Sequence, residues 1–157
     1  MTVDEIKKIL QRKAVIFETG GFRPTNEIGE RWIGAVKWKS PEDTVPRDKD
    51  GNDMIPLATI FIENLSYVSE AIEKVKLMNV FISKNAYDHL MDLDGYFKVQ
   101  TYDSIEGLQP CSWINNQMKA FPLKPQVVDD DLPEFTKPRN VALMFFNSEP
   151  HEFFPCA

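Results

Sequence analysis

The fold class is decided by a stretch in which polar and apolar residues alternate, Tyr96-Phe97-Lys98-Val99-Gln100-Thr101-Tyr102. Successive side chains of a β-strand point to opposite faces of a sheet, so Phe97, Val99 and Thr101 are expected on one face. This pattern predicts a strand that packs on the protein interior through one side.

Further strands are predicted on both sides of this stretch, in short segments rich in β-branched and aromatic residues. They cover residues 14–17, 31–38, 57–62, 80–82, 126–128 (as an edge strand) and 141–146. Residues 40–56 predict a long polar loop, and residues 103–125 predict irregular structure, because prolines and charged residues interrupt both segments.

The helical signals are fewer. A first helix is predicted after Thr2, because Glu5 completes a capping box and apolar residues follow at helical spacing. A second helix is predicted over residues 66–78 and a single turn over residues 87–91. Since helices and strands do not alternate, we expect an α+β fold: a mainly antiparallel sheet of six or seven short strands with two or three helices on one face or end. The length of 157 residues predicts one domain, residues 1–157.

Charge and composition exclude several classes of partner. The chain has 18 Lys and Arg against 24 Asp and Glu, a net charge of −6. Nucleic acids and anionic membranes attract clustered cations, so neither is expected as a partner. The N-terminus lacks the basic start and apolar run of a secretion signal, and no apolar run approaches the roughly 20 residues of a membrane span. A cytoplasmic location is therefore expected.

Motifs for metals, cofactors and nucleophilic catalysis are missing from the sequence. Two His and two Cys do not supply the local spacing of a zinc site. The Asp-rich turns at residues 48–53 and 92–95 fail as calcium loops, because the first and twelfth ligand positions hold residues that do not bind calcium through their side chains. No glycine-rich phosphate loop occurs. We expect no metal, no cofactor and no catalytic residue, and we interpret Cys111 and Cys156 as unreactive thiols.

Acidic runs are the features that most favour a function. Asp129, Asp130 and Asp131, extended by Glu134, are predicted to form a solvated loop. The long loop adds a second acidic group, whose members are Asp48, Asp50 and Asp53. Such runs either aid solubility or steer a basic partner, and the sequence leaves both alternatives open. Trp113, which the prediction places in a loop, either anchors a partner or closes the end of the sheet.

Residues 47–65, Arg-Asp-Lys-Asp-Gly-Asn-Asp-Met-Ile-Pro-Leu-Ala-Thr-Ile-Phe-Ile-Glu-Asn-Leu, resemble a segment of the YwqG-like family of bacterial proteins, in which a loop with a glycine turn leads into a Pro-Leu strand. Residues 80–83 and 96–102 continue the resemblance, which spans about residues 28–105. Thr59 departs from the family pattern, where Gln is usual, and the chain is shorter than typical members. The resemblance implies a mixed α+β fold, a bacterial origin and placement near toxin systems. It carries over no catalytic residues.

Three hypotheses for function follow. The first is a non-enzymatic immunity protein that neutralises a toxin domain, a basic protein partner, by binding it through the acidic loops. The alternative is a small-molecule-binding domain or an unrecognised enzyme, with His89, Tyr87 and Tyr102 in a pocket at the end of the sheet. The third is a structural subunit that forms a stable homo-oligomer.

Overall fold

Two antiparallel sheets form the body of the protein in a computed structural model that describes residues 2–90, 92–115 and 117–131. Within those residues there is one α-helix and there are eight strands. The elements are α1 (Val3–Leu10), β1 (Arg12–Glu18), β2 (Arg31–Ile33), β3 (Ala35–Lys39), β4 (Ile55–Phe61), β5 (Leu77–Ile82), β6 (Phe97–Tyr102), β7 (Gln109–Ile114) and β8 (Phe121–Asp131). Two short 3-10 helices cover Glu70–Ile72 and Ala86–His89.

The larger sheet has six strands in the order β1-β8-β2-β4-β5-β6, and it curls into a half-barrel. Strands β3 and β7 pair with each other to form a second, smaller sheet. The chain passes from one sheet to the other at Gly34, which lies between β2 and β3 with a φ of +79°. Glycine takes this left-handed conformation without the Cβ clash of other residues, so a sharp turn in the chain is possible there.

Each face of the six-stranded sheet is covered by a different part of the chain. On one face, Ala58 and Ile60 belong to an apolar cluster that the loop between β4 and β5 covers with Val68, Ile72 and Val75. On the other face, the β3–β7 sheet buries a second cluster; its fully buried members are Val36 and Phe81 and its nearly buried member is Met54. The backbone N–H of Lys37 donates to Thr59 Oγ1 at 3.0 Å, which fixes β3 over β4.

The predicted fold class is wrong in its helices. The capping box is confirmed, since Thr2 and Glu5 bond reciprocally at the start of α1, but α1 buries none of its residues. The second predicted helix is absent: residues 66–76 form a loop with one 3-10 turn, and Leu77 begins β5. Tertiary contacts override the local helical spacing here. The apolar residues of this segment each pack on the sheet from a loop, and residues 77 and 78 pair with β4.

The prediction of irregular structure over residues 103–125 is also wrong, because β7 and most of the first half of β8 lie there. Pro122 and Pro125 lie within β8, opposite Trp32 and Phe17. Residues 126–128 are not a separate edge strand but part of β8, which pairs with β2 through residues 121–123 and with β1 from residue 124 onward. The predicted strand at residues 141–146 lies outside the described residues.

Candidate binding surface

Asp48 organises the loop that precedes β4. Its side chain accepts a hydrogen bond from Ser83 Oγ at 2.7 Å and bonds from the backbone N–H groups of Asp50 and Asn52 at 3.0 and 2.9 Å. The Ser83 hydrogen bond, more than any other contact, holds the pKa of Asp48 below its usual value. Only 6% of Asp48 is exposed. This predicted partner-binding residue therefore serves the loop internally and does not face a partner.

The turn that precedes β6 packs against the same loop. Tyr96 is buried, His89 stacks on its ring with centroids 3.9 Å apart, and the Lys49 ammonium lies 4.4 Å from its centroid. Burial raises the pKa of the Tyr96 hydroxyl, and the nearby carboxylates of Asp50, then Asp48, then Asp92 add to the rise. Two loops distant in sequence thus place carboxylates around one tyrosine.

These loops lie at one end of the sheet, because β4 begins, β5 ends and β6 begins there. We call this surface the acidic end and define it by the exposed carboxylates of residues 47–53 and 84–95. They are Asp50, Asp53, Asp88, Asp92 and Asp94. The cations of the same loops are Arg47, Lys49 and Lys84, so negative charge is in excess. Asp53 pairs with Arg47 at 3.2 Å, with both side chains 72% exposed, and a pair so exposed contributes little to stability.

An open groove of about 300 Å³ borders the acidic end. Its lining residues are Asp53, Met54, Ile55, Pro56, Lys84, Ile114 and Gln117. Ile114, the last residue of β7, is 54% exposed there. Ile114 is not identified by the sequence analysis. In β7 the side chains of Cys111 and Trp113 are half-buried, and the residues between and after them are exposed. Because side chains alternate along a strand, this alternation would have placed Ile114 on the outer face if residues 109–114 had been predicted as a strand.

Trp113 does not lie in a loop as the sequence predicts, and its contacts favour the packing role over the role of a partner anchor. It lies in β7 opposite Val36, and its ring packs on Phe81 with centroids 6.1 Å apart. The Lys39 ammonium covers the ring at 5.3 Å from its centroid. Trp113 therefore serves mainly the packing of the two sheets.

The run Asp129–Asp131 is not a loop either. It forms the end of β8, where Asp131 lies opposite Arg12 on β1. Arg12 and Asp131 approach to 3.4 Å, and Lys13 and Asp129 to 3.6 Å. Since β8 runs from Phe121, near the acidic end, away toward Asp131, the two predicted acidic groups lie at opposite ends of the sheet. Glu134 lies outside the described residues.

The three residues of the small-molecule hypothesis do not converge. His89 stacks on Tyr96 at the start of β6, whereas Tyr102 ends β6, roughly 20 Å further along the strand. The Tyr102 hydroxyl donates to Asp43 Oδ2 at 2.6 Å and accepts from Asn79 Nδ2 at 3.3 Å. Burial and then Asp43 raise the pKa of Tyr102 far above its usual value, so the phenol stays protonated and ties the long loop to the sheet. Tyr87 is 58% exposed.

Cys111 has the environment of an unreactive thiol. Its Sγ donates to the carbonyl oxygen of Val36 at 3.3 Å, and burial raises the thiol pKa. Cys156 lies outside the described residues. Among residues 2–90, 92–115 and 117–131, no group of three or more His, Cys, Asp or Glu side chains is arranged to hold a metal ion. No helix in the described part of the chain is long and apolar enough to cross a membrane.

Comparison with known proteins gives no family assignment. A scan against protein-family models finds no match, and a search of curated proteins finds no significant relative.

Proposed function

We propose that this protein is a non-enzymatic binding protein that holds a basic protein partner against the acidic end. The observation that carries the proposal is the convergence of exposed carboxylates from two loops beside the groove with exposed Ile114. Complementary charge steers a partner and speeds association, while an apolar side chain in a groove supplies the contact that slows dissociation. Asp129 and Asp131 contribute less to this surface, because cations of β1 already lie beside them.

We further propose that the partner is a bacterial toxin domain and that the protein acts in the cytoplasm as its immunity protein. The resemblance of residues 28–105 to the YwqG-like family supports this part of the proposal. The chemistry of Cys111 and Tyr102 agrees with it. Burial raises the pKa of the Cys111 thiol, and burial together with the hydrogen bond to Asp43 raises the pKa of the Tyr102 phenol, so both groups stay protonated and are unsuited to nucleophilic attack.

The test compares two charge-reversal variants that carry the same change in net charge. Asp53→Lys with Asp94→Lys alters the acidic end, and Asp103→Lys with Glu106→Lys alters the turn after β6 at the opposite end of the sheet. Partners are captured from the native cell at low salt, identified by mass spectrometry, purified and tested for direct binding. We expect the first variant to lower the association rate about tenfold or more and the second to leave it nearly unchanged.

The immunity role has its own readout. Co-expression with the captured partner should rescue growth of a host that the partner alone poisons, and the acidic-end variant should fail to rescue. Equal binding by both variants would refute the acidic end as the interface. A captured partner that does not poison the host would refute the immunity role while leaving the binding role intact.

The groove favours a second candidate function, the binding of a small ligand. Its volume of about 300 Å³ lies at the lower limit of ligand cavities, and it combines apolar walls with the charges of Asp53 and Lys84. A thermal-shift screen of metabolites tests this candidate, because a ligand that binds the folded state raises the melting temperature. A true groove ligand should lose its effect in Ile114→Asp.

A further inference from the structure

The part of β8 beyond residue 123 has a partner strand on one side only, within the described residues. Strand β2 pairs with residues 121–123 and β1 pairs with residues 124–131. No other described segment forms a backbone hydrogen bond with residues 124–131. A strand has two edges and β1 occupies one of them, so the other edge is open there. An open edge is a template for a further strand.

The sheet face beside this edge is only partly covered. Val127 lies opposite Val15 on β1. Pro125 lies opposite Phe17, which packs against the apolar cluster that includes Leu123. The first four of these residues are half-buried, whereas Leu123 is 8% exposed. Because residues two apart in a strand share a face, the apolar face of the cluster continues along β8 into a region that the described residues leave half-exposed.

The chain supplies an apolar segment shortly after this edge. Residues 141–146, Val-Ala-Leu-Met-Phe-Phe, lie outside the described residues, and their sequence predicts a strand. Apolar residues occupy both alternating sets of positions, a pattern typical of a strand that is buried on both faces. Pro133 and Pro138 lie between Asp131 and this segment, and they favour a connection there over a longer strand.

Reach and tethering select this segment as the occupant of the edge. Residues 132–140 connect it to β8, and a connection of this length spans up to roughly 30 Å, whereas neighbouring strands lie only about 4.8 Å apart. A segment on such a tether is present at an effective concentration on the order of millimolar. A second copy of the chain reaches that concentration only in very concentrated solution, so the chain's own segment outcompetes it.

Charge favours the antiparallel direction of pairing. Asp129 and Asp131 have cations of β1 at 3.6 and 3.4 Å, but no ion pair to Asp130 forms within the described part of the chain. Lys137 and Arg139 shortly precede the apolar segment. Antiparallel pairing places this flank beside the end of β8, where it offers Asp130 a cation.

We propose that residues 141–146 pair antiparallel with residues 126–131 of β8, on the edge opposite β1. The pairing begins after Pro125, since proline has no N–H to donate to a ladder. Consecutive strands of a chain are usually neighbours in a sheet, and this arrangement satisfies that rule. It covers the half-exposed face at Val127 and closes an edge that is otherwise open to other chains. The inference is independent of the proposed function, because it uses no residue of the acidic end.

The test is hydrogen exchange of the unaltered full chain, measured in dilute and in concentrated solution, with sedimentation under both conditions. Every second amide of residues 126–131 points away from β1 and exchanges fast if the edge is open. We expect these outward amides, and every second amide of residues 141–146, to be protected in the dilute monomer. Fast exchange at both concentrations, or protection that appears only together with a dimer, would overturn the proposal. Protection of β8 without protection of residues 141–146 would overturn it as well.

Two variants that each replace an apolar residue by aspartate identify the occupant. Leu143→Asp places a charge within the segment and should speed exchange of the outward β8 amides at least about tenfold, because burial of a leucine changes an equilibrium constant by more than that. Phe153→Asp makes the same kind of change outside the segment and should leave this exchange unchanged. The amides of β4, which pairs with strands on both sides, report whether each variant folds. If Leu143→Asp has no effect in a folded protein, or if Phe153→Asp has an equal effect, the segment is not the occupant.

Discussion

Replacement of Gly34 by alanine tests whether the turn between β2 and β3, where the chain passes from one sheet to the other, requires glycine. Gly34 has a φ of +79°, and a Cβ at this position would lie 2.7 Å from the carbonyl oxygen of Lys119 and 3.0 Å from Cα of Ala120. Both neighbours are backbone atoms, so they cannot rotate away as a flexible side chain would. The residue is also held from both sides, because its N–H donates to Leu57 O and its C=O accepts from Asn115 N.

The cost of Gly34→Ala has two parts. The left-handed conformation costs a non-glycine residue about 1–2 kcal/mol. Forcing a methyl group into filled space costs about 1–3 kcal/mol more. The sum, about 2–5 kcal/mol, is a large fraction of the roughly 5–15 kcal/mol that holds a typical domain folded.

Two other glycines provide matched controls. Gly51 has a φ of +83°, and nothing lies within 4 Å of the place that a Cβ would occupy, so Gly51→Ala should show only the conformational cost. Gly29 lacks a positive φ, and the nearest neighbour of a Cβ there would be a Phe61 side-chain atom at 3.9 Å, so Gly29→Ala should be nearly neutral. Urea denaturation followed by tryptophan fluorescence gives the three free energies of unfolding. If Gly34→Ala is no more destabilising than Gly51→Ala, the close approach to Lys119 and Ala120 is not rigid and the reasoning fails.

Two polar contacts, one buried at Asp48 and one partly buried at Tyr102, give pH-dependent predictions. The native pKa of Asp48 lies below its ordinary 3.8, so its hydrogen bonds stabilise the fold above that pH. The unaltered protein should therefore be more stable than Asp48→Asn at neutral pH, and this difference in free energy of unfolding should shrink as pH falls through the native pKa. Urea midpoints between pH 7 and pH 2 check this, and a constant difference would contradict it. Tyr102→Phe removes a hydrogen bond to a carboxylate and should cost about 1.5–3 kcal/mol at neutral pH. The native pKa of Tyr102 is raised, so the difference in free energy of unfolding between the unaltered protein and Tyr102→Phe should narrow as pH rises above the ordinary value of 10.0. Urea midpoints that show no such narrowing would contradict the raised pKa.

The sequence predicted those parts of the fold that depend on local signals. The capping box of Thr2 and Glu5 and the alternation of residues 97–102 are complete within a few residues, and both elements form. The spacing of the apolar residues between 66 and 78 is equally local but ambiguous, because residues three or four apart can also point separately from a loop onto a sheet. Only the pairing of β5 with β4, set by residues far away, decides between these outcomes.

The roles of the acidic residues depend still more on distant contacts. Asp48 is an internal acceptor because Ser83, 35 positions later, meets it; Asp131 lies beside Arg12, which is 119 positions earlier. Neither contacting residue can be identified from the spacing of charges in the sequence. Asp48, Asp50 and Asp53 therefore look alike in sequence, although only Asp50 and Asp53 are exposed. The carboxylates that remain at the acidic end are gathered by the registers of β4, β5 and β6. The proposed binding surface is therefore a property of strand pairing, and a mutation that shifts those registers should abolish the proposed partner binding without changing a single charge.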